Sequence, residues 1–338
     1  MVRAYRKGGF DMDWLKLPRK IYFKPGSMPV ALAELSEVYG FSRAFIVTDS
    51  NLYRLGMAHP VDRLVSSIGL RTAEFFIREG TPSCDDILGG MPKINEFAPD
   101  VIIGVGGSSV MSLARCLWLL YENPETDLNE ISERFSGISE GDALFPEMGN
   151  KAKLVLVATT AGRGAECSPF AVFKDDKGKK RVIASYSLLP EIAVIDPDFS
   201  AEIPPDLTKK GGLQILSQAV RAYVSDGSTD YTKGLAAEAV QNVFAYLPEA
   251  VQKGSAAPLA REHLAYAAAL AGMAYGNSVQ TIGQDEEVYP SAHESSMGSS
   301  GPEVVRRTAD LAGRAGFEGD ESLVFEKWID ACKGLSTL

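Results

Sequence analysis

The 338-residue sequence is poor in the residues that build metal and redox sites. It has three histidines, His59, His263 and His293, and four cysteines, Cys84, Cys116, Cys167 and Cys332, none spaced as CxxC. That scarcity excludes a zinc ribbon and a dithiol redox motif. Widely separated thiols suit a reducing compartment, so a cytoplasmic protein is expected. No run approaches the roughly 18 apolar residues of a membrane span. Residues 1–14 mix Arg3, Arg6 and Lys7 with Asp11 and Asp13 and lack the apolar core of a secretory signal. Positive charge is also short. With 34 Lys and Arg against 44 Asp and Glu, the formal net charge is −10, which argues against nucleic acid or an anionic membrane surface as a partner. Internal repeats and coiled-coil heptads are absent as well. Small molecules and other proteins remain as partners.

What is present is a globular composition, 45% hydrophobic and 23% charged, in a chain long enough for two cores. The first half alternates short apolar runs with helical patterns, the sequence form of a parallel sheet covered by helices. Residues 44–48 (AFIVT), 101–105 (VIIGV) and 154–158 (LVLVA) read as buried strands. From about Pro204 onward alanine-rich, helically spaced segments take over, as at 235–247 and 259–275. The expected division is a Rossmann-like α/β domain at 1–203 and an all-helical domain at 204–338. The serine- and glycine-rich stretch 291–302 reads as an irregular loop before a last helical stretch at 303–315.

In open α/β sheets ligands bind beyond the carboxyl ends of the strands, so Asp49, the turn at Gly106, Gly107, Ser108 and Ser109, and the turn at 159–164 should face one crevice. The segment DVIIGVGGSSVMSLAR at 100–115 runs from strand through glycines into helix. Such a turn lets backbone approach a ligand and offers free N–H groups to a diphosphate. Many strand-to-helix turns need glycine for the turn alone. Asp49 suits a ribose hydroxyl or, equally, a helix N-cap. Thr159, Thr160 and Gly162 suit adenine or phosphate contacts or a plain hydroxyl turn.

Taken in order, LPRKIYFKPGSMPVAL (17–32), GVGGSSVM (104–111), TTAGRGAECSPFAVF (159–173), IASYSLLPEIAVIDPDF (183–199), AVRAYVS (219–225) and LAGMAYGN (270–277) resemble the iron-containing alcohol dehydrogenases. The LPRKIYF opening and LYENPETDLNEISERF (120–135) resemble the alcohol dehydrogenase half of the bifunctional aldehyde-alcohol dehydrogenases. The resemblance covers nearly the whole chain. It implies that architecture, the reaction of an alcohol with NAD to give an aldehyde and NADH, and an active site between the two domains. It places Asp49 at the adenosine ribose of NAD, or of NADP, which the residues do not separate from it. Gly106, Gly107, Ser108 and Ser109 then face the pyrophosphate, Thr159 and Thr160 the adenine, and Lys180 the nicotinamide ribose.

The resemblance also marks departures. Ser108 replaces the third glycine of the turn, Ser112 an aspartate, and Arg163 a small threonine, where a guanidinium would crowd the cofactor or grip a phosphate. The relatives' Asp-x-x-x-His metal pair falls on Gln214 and Gln218. The third ligand falls on Gln284, and the companion histidine linked to proton transfer on Val288. The segment carrying the fourth ligand is missing around 291–302. Neutral amides bind transition metals far more weakly than imidazole or carboxylate. The acidic cluster Asp285, Glu286, Glu287, His293 and Glu294 reads as a solvated loop ahead of a rebuilt metal site. Cys167 reads as core ahead of a reactive thiol.

The leading expectation is a metal-free member of the family, impaired or inactive as an alcohol dehydrogenase, that keeps a nucleotide cleft. Two alternatives stand beside it. One is a non-catalytic interaction partner of aldehyde-alcohol dehydrogenase assemblies. The other is a metal-independent NAD(P)-linked carbonyl reductase using Lys180 or Cys167. Dimerisation is expected, as cover for helices left bare by a shortened helical domain.

Overall fold

A strand such as VIIGVG at 101–106, whose six residues are all buried, is stable only where helices cover both faces of its sheet. The chain builds that arrangement. The computed structural model describes residues 15–54, 58–78, 80–138, 144–278 and 302–338. In chain order the first elements are β1 (Lys20–Phe23), α1 (Ser27–Glu37), β2 (Arg43–Asp49), α2 (Ser50–Arg54), α3 (His59–Ser67), β3 (Arg71–Ile77) and α4 (Cys84–Phe97). Next come β4 (Val101–Gly106), α5 (Ser108–Glu122), α6 (Leu128–Arg134), β5 (Lys153–Ala158), β6 (Phe170–Lys174), β7 (Lys180–Ala184) and β8 (Ile192–Ile195). The rest is α7 (Pro205–Val224), α8 (Asp230–Lys253), α9 (Pro258–Ser278), α10 (Pro302–Arg314) and α11 (Glu321–Ser336).

Six strands form one sheet in the order β1-β8-β5-β4-β2-β3, with every pair parallel. β6 and β7 form a separate antiparallel hairpin. On one face Leu32 and Leu35 of α1 and Val61 and Val65 of α3 pack on Ile46, Ile103 and Val155. On the other, α4 and α5 bring Ile87, Ile94, Leu113 and Leu117 against Phe45, Ile102 and Leu154. The expected strands at 44–48, 101–105 and 154–158 are the three central ones. The expected helical stretches at 235–247 and 259–275 lie inside α8 and α9. Residues 291–301 of the expected loop lie outside the described residues, and Pro302 opens α10.

Beyond Pro205 the described residues form helices without strands. Their core joins Tyr223, Val240, Leu264, Tyr275 and Trp328 to Phe170 and Val172 of the hairpin, so helices and hairpin share one interior. α9 also seats Ala265, Ala269 and Met273 on Ala193 and Ile195 of β8.

The tightest join lies between the loop after β5 and two helices. Gly164 has φ +57°, and a Cβ there would stand 2.0 Å from the carbonyl oxygen of Ala268 on α9. From the other side, a Cβ on Gly272 would stand 2.2 Å from the oxygen of Gly164, and one on Gly211 of α7 2.2 Å from that of Ala161. Three backbones therefore touch with no side chain between them. Gly272→Ala and Gly211→Ala should each destabilise the chain by about 1–3 kcal/mol through forced overpacking. Gly234→Ala on α8, where nothing lies within 4 Å, should instead stabilise by about 0.5–1 kcal/mol. Urea unfolding midpoints of the three variants check this, and an unchanged Gly272→Ala midpoint contradicts it.

Candidate functional site

The sheet order reverses between β2 and β4: from β2 the chain moves outward to β3, then returns to the other side to form β4 and β5. Such a switch point leaves a crevice at the strands' carboxyl ends, where ligands bind in open α/β sheets. A cleft of about 1440 Å³ occupies that place. Asp49, Gly106, Gly107, Ser108, Ser109, Thr159, Thr160, Lys180 and Gln214 all line it.

The turn between β4 and α5 has two glycines with different reasons. A Cβ on Gly106 would lie 2.6 Å from Val110 Cγ2, so this glycine lets the helix fold back onto its own strand. At Gly107 a Cβ would meet nothing nearer than Thr160 Oγ1 at 3.6 Å, and it is this position that fronts the cleft. Gly107 also precedes α5 as its N-cap without a side-chain cap, and no acidic residue stands in the first turn. The leading N–H groups of a 15-residue helix and its positive dipole end thus point to an anion.

Asp49 does what the plainer of its two readings requires. Its Oδ1 accepts hydrogen bonds from Asn51 N and Leu52 N, both at 2.9 Å, and so caps α2, while the residue still lines the cleft. Thr159 is fully buried and its Oγ1 has no hydrogen-bond partner, whereas Thr160 is exposed. Ser112, at the aspartate position, is buried and its hydroxyl accepts from Val172 N at 3.1 Å, tying α5 to the hairpin instead of facing a ligand. Lys180 opens β7, exposed at the cleft margin. Arg163 lines the cleft.

Gln214 and Gln218 lie one turn apart on α7. Gln214 is half-buried at the cleft, its Oε1 3.5 Å from where a Cβ on Gly162 would stand. Gln218 is 1% exposed, and neither its Oε1 nor its Nε2 has a partner among the described residues. Among the described residues no group of three or more His, Cys, Asp or Glu comes together as a ligand set. Gln284, Val288 and the acidic cluster at 285–294 lie outside the described residues. Cys167 is sealed among Ala193, Ile195, Ala265 and Met273, and burial drives its thiol well above its ordinary range. The reactive-thiol reading fails on that ground, since the thiolate is the reactive form.

One residue escapes the sequence reading except as a neighbour of Cys167. Glu166 is 3% exposed yet lines the cleft. The turn 165–167 that carries it is fixed by the buried Arg115 of α5, whose guanidinium donates to the carbonyls of Ala165 (2.7 Å), Ser168 (2.6 Å) and Leu188 (3.0 Å). Burial pushes the Glu166 carboxyl up to about 7, against the smaller pull of its own backbone N–H and of Arg115. An acid inside an otherwise small and apolar turn leaves no periodic signature.

Comparison with known proteins agrees with this geometry. Residues 18–197 match the family model for iron-containing alcohol dehydrogenase, and residues 208–283 match that for the C-terminal part of the Fe-containing alcohol dehydrogenase family. The bifunctional aldehyde-alcohol dehydrogenase of Escherichia coli K12 is 40% identical over 277 residues, covering 82% of this chain and 31% of its own length. Aldehyde-alcohol dehydrogenase 2 of Entamoeba histolytica is 39% identical over 284 residues, 82% of this chain and 31% of that protein. The chain thus spans about a third of the length of these bifunctional relatives. Among solved structures, a 1,3-propanediol oxidoreductase superposes with a TM-score of 0.81 at 25% identity, over 96% of this chain and 86% of that one.

The buried acid has a consequence for stability. An unfolded glutamate ionises near 4.5 and folded Glu166 near 7, so the folded chain holds the extra proton between those values. Stability from this group is complete below the lower value, falls as pH rises and levels off above the higher. The loss is about 3 kcal/mol. Unfolding free energies from urea titration at about pH 5 and about pH 8 should differ by about 2–3 kcal/mol more in the wild type than in Glu166→Gln. Equal pH dependence in the two proteins would count against the buried acid.

Proposed function

The chain belongs to the iron-containing alcohol dehydrogenase family, and from that premise we propose that it keeps a nicotinamide dinucleotide cleft without the metal-dependent alcohol oxidation of its relatives. The observation that carries the reading is the pair Gln214 and Gln218. At the two helix positions where the resemblance expects a carboxylate and an imidazole stand neutral amides, one of them buried with both polar atoms unpartnered. That donor set does not fit a transition-metal ion, which needs imidazole, thiolate or carboxylate ligands. Without a cation to polarise an alcohol oxygen, the alkoxide that releases hydride is hard to form.

The residues at the switch point do fit a dinucleotide. In this reading the N-terminus of α5, with Gly107, Ser108 and Ser109, binds the diphosphate, and Gly106 lets that helix approach. Asp49 has its second carboxylate oxygen for a ribose hydroxyl, and Thr159 offers an unpartnered buried hydroxyl beside Thr160 for the adenine side. Lys180 stands at the opposite margin, near the nicotinamide ribose. When bound, the nicotinamide accepts or gives a hydride. The division into a nucleotide-binding domain at 1–203 and a helical domain at 204–338 belongs to the same proposal.

A second reading keeps hydride exchange with a carbonyl compound and dispenses with the metal. Glu166 favours it, because an acid that ionises near neutrality inside the cleft is the type of group such chemistry requires. Cys167 no longer serves that reading.

Fluorescence titration should show NADH bound, while metal analysis after incubation with Fe²⁺ or Zn²⁺ shows no stoichiometric ion and ethanol or acetaldehyde turnover does not rise with either metal. Robust metal-dependent turnover sinks the proposal. Gln218→Met, which removes an unpaired buried amide at similar volume, should stabilise the chain by about 1–3 kcal/mol. Thermal unfolding measures it, and destabilisation would mean that the amide has a partner in solution.

A further inference from the structure

Glu166 stands between two spaces. On one side is the cleft, and on the other a small void of about 10 Å³ whose polar walls are Thr160, Glu166, Asp196 and Ser200. A void of that size, with several polar groups around it, suits one water molecule. Its walls are not equivalent. Asp196 is committed: Oδ1 accepts from Gly26 N at 3.1 Å and Asp198 N at 3.2 Å, and Oδ2 from Met28 N at 3.0 Å. The Ser200 hydroxyl donates to the Pro197 carbonyl at 3.0 Å, which leaves its oxygen to accept. The Glu166 carboxyl meets its own backbone N–H and has no side-chain hydrogen bond to another of the described residues.

The charged groups around it are few. Arg115 approaches from α5, donating from Nε to the carbonyl of Leu188 and from Nη2 to those of Ala165 and Ser168, while its charge favours the ionised form of Glu166. Asp196 follows β8. β5 contributes Ala158, and α9 contributes Ala265, Ala268 and Gly272, all uncharged. The nearest charge on α9 is Arg261, itself bonded to the carbonyls of Ser200, Ile203 and Gly254. α7 presents the neutral Gln214 to the cleft. Arg115 draws Glu166 toward the charged form less than burial pushes it away, and Arg163 lines the same cleft; a carboxyl so nearly balanced is neutral or charged according to what fills the space beside it.

We propose that Glu166 is the acid–base group of the cleft, exchanging its proton with a ligand oxygen on the cleft side and with a single water held against Asp196 and Ser200 on the other. The class of substrate is a carbonyl compound or the alcohol derived from it. In the reducing direction the carbonyl carbon gains a hydride from reduced nicotinamide while its oxygen takes the Glu166 proton. The carboxylate left behind recovers a proton through the water, so one carbonyl, one NADH and one proton give one alcohol and one NAD⁺. The inference rests on the dinucleotide reading for the identity of the reductant, and the position of Glu166 between cleft and void does not depend on it.

Two measurements on the full chain and on Glu166→Gln, which keeps the shape and removes the proton, decide it. Infrared difference spectra of the protein without ligand should show a protonated-carboxyl band that bleaches as pH rises through about 7 and is missing from the variant. A wild type without that band, or a variant that retains it, overturns the proposal. Calorimetric titration with NADH near neutral pH, in two buffers of different ionisation heat, should show proton exchange on binding in the wild type and none in the variant. Equal exchange in both overturns it as well. If NADH binds neither protein, the dinucleotide reading falls, and the infrared band, which needs no ligand, alone decides whether Glu166 carries the exchangeable proton.

Discussion

The candidate site is held in shape by contact between bare backbones. The loop after β5 touches α7 where Gly211 meets Ala161, and touches α9 where Gly272 meets Gly164. Because no side chain stands between these segments, neither helix can slide without breaking carbonyl contacts of about van der Waals closeness. The loop in turn sets Thr159 and Thr160 across from Gly107, and its continuation carries Glu166 onto the inner wall. Arg115 pins that continuation from the opposite side with three hydrogen bonds to carbonyls. A buried guanidinium bonded to three carbonyls acts as a rigid strut, since each bond it loses would leave a charged donor unpaired. The position of the site thus follows from where glycines permit helices to approach and from one arginine that fixes the turn between them.

Much of the sheet was legible because its central strands are buried on both faces. AFIVT, VIIGV and LVLVA are apolar without interruption, and each leads into a turn the sequence announces. The edges were not legible. β1 (KIYF) and β3 (RTAEFFI) are half-exposed, so polar residues interrupt the apolar signal. β8 is fully buried but only four residues long, too short to stand out beside the loops that flank it. The final helix α11 also went unread, although Trp328 at its centre is completely buried, because scattered lysines and acids dilute the pattern around it.

The site was legible as an address rather than as chemistry. Strand ends and glycines nominated the crevice, and every nominated cofactor residue lines it. Which atoms are engaged, however, depends on neighbours far along the chain. Asp49 turns its Oδ1 to α2, Ser112 is drawn to Val172 sixty residues away, and Gly106 is glycine because of Val110. None of these commitments can be read from residue type. Glu166 is the clearest case. Its importance arises only when the turn that bears it is buried against α9 and β8, which a list of titratable residues along the sequence cannot show.

Two unusual features meet at the cleft of the proposed metal-free site, the neutral amides on α7 and the buried acid Glu166. A divalent ion beside Gln214 and Gln218 would stabilise any nearby carboxylate by several kcal/mol at short range in a poorly solvated interior. Neutral amides supply no such field. On Glu166, desolvation outweighs the pull of its own backbone N–H and of Arg115, and the acid moves toward neutrality. The cleft thus carries the neutral amide of Gln214 on α7 together with an acid raised by burial to about 7.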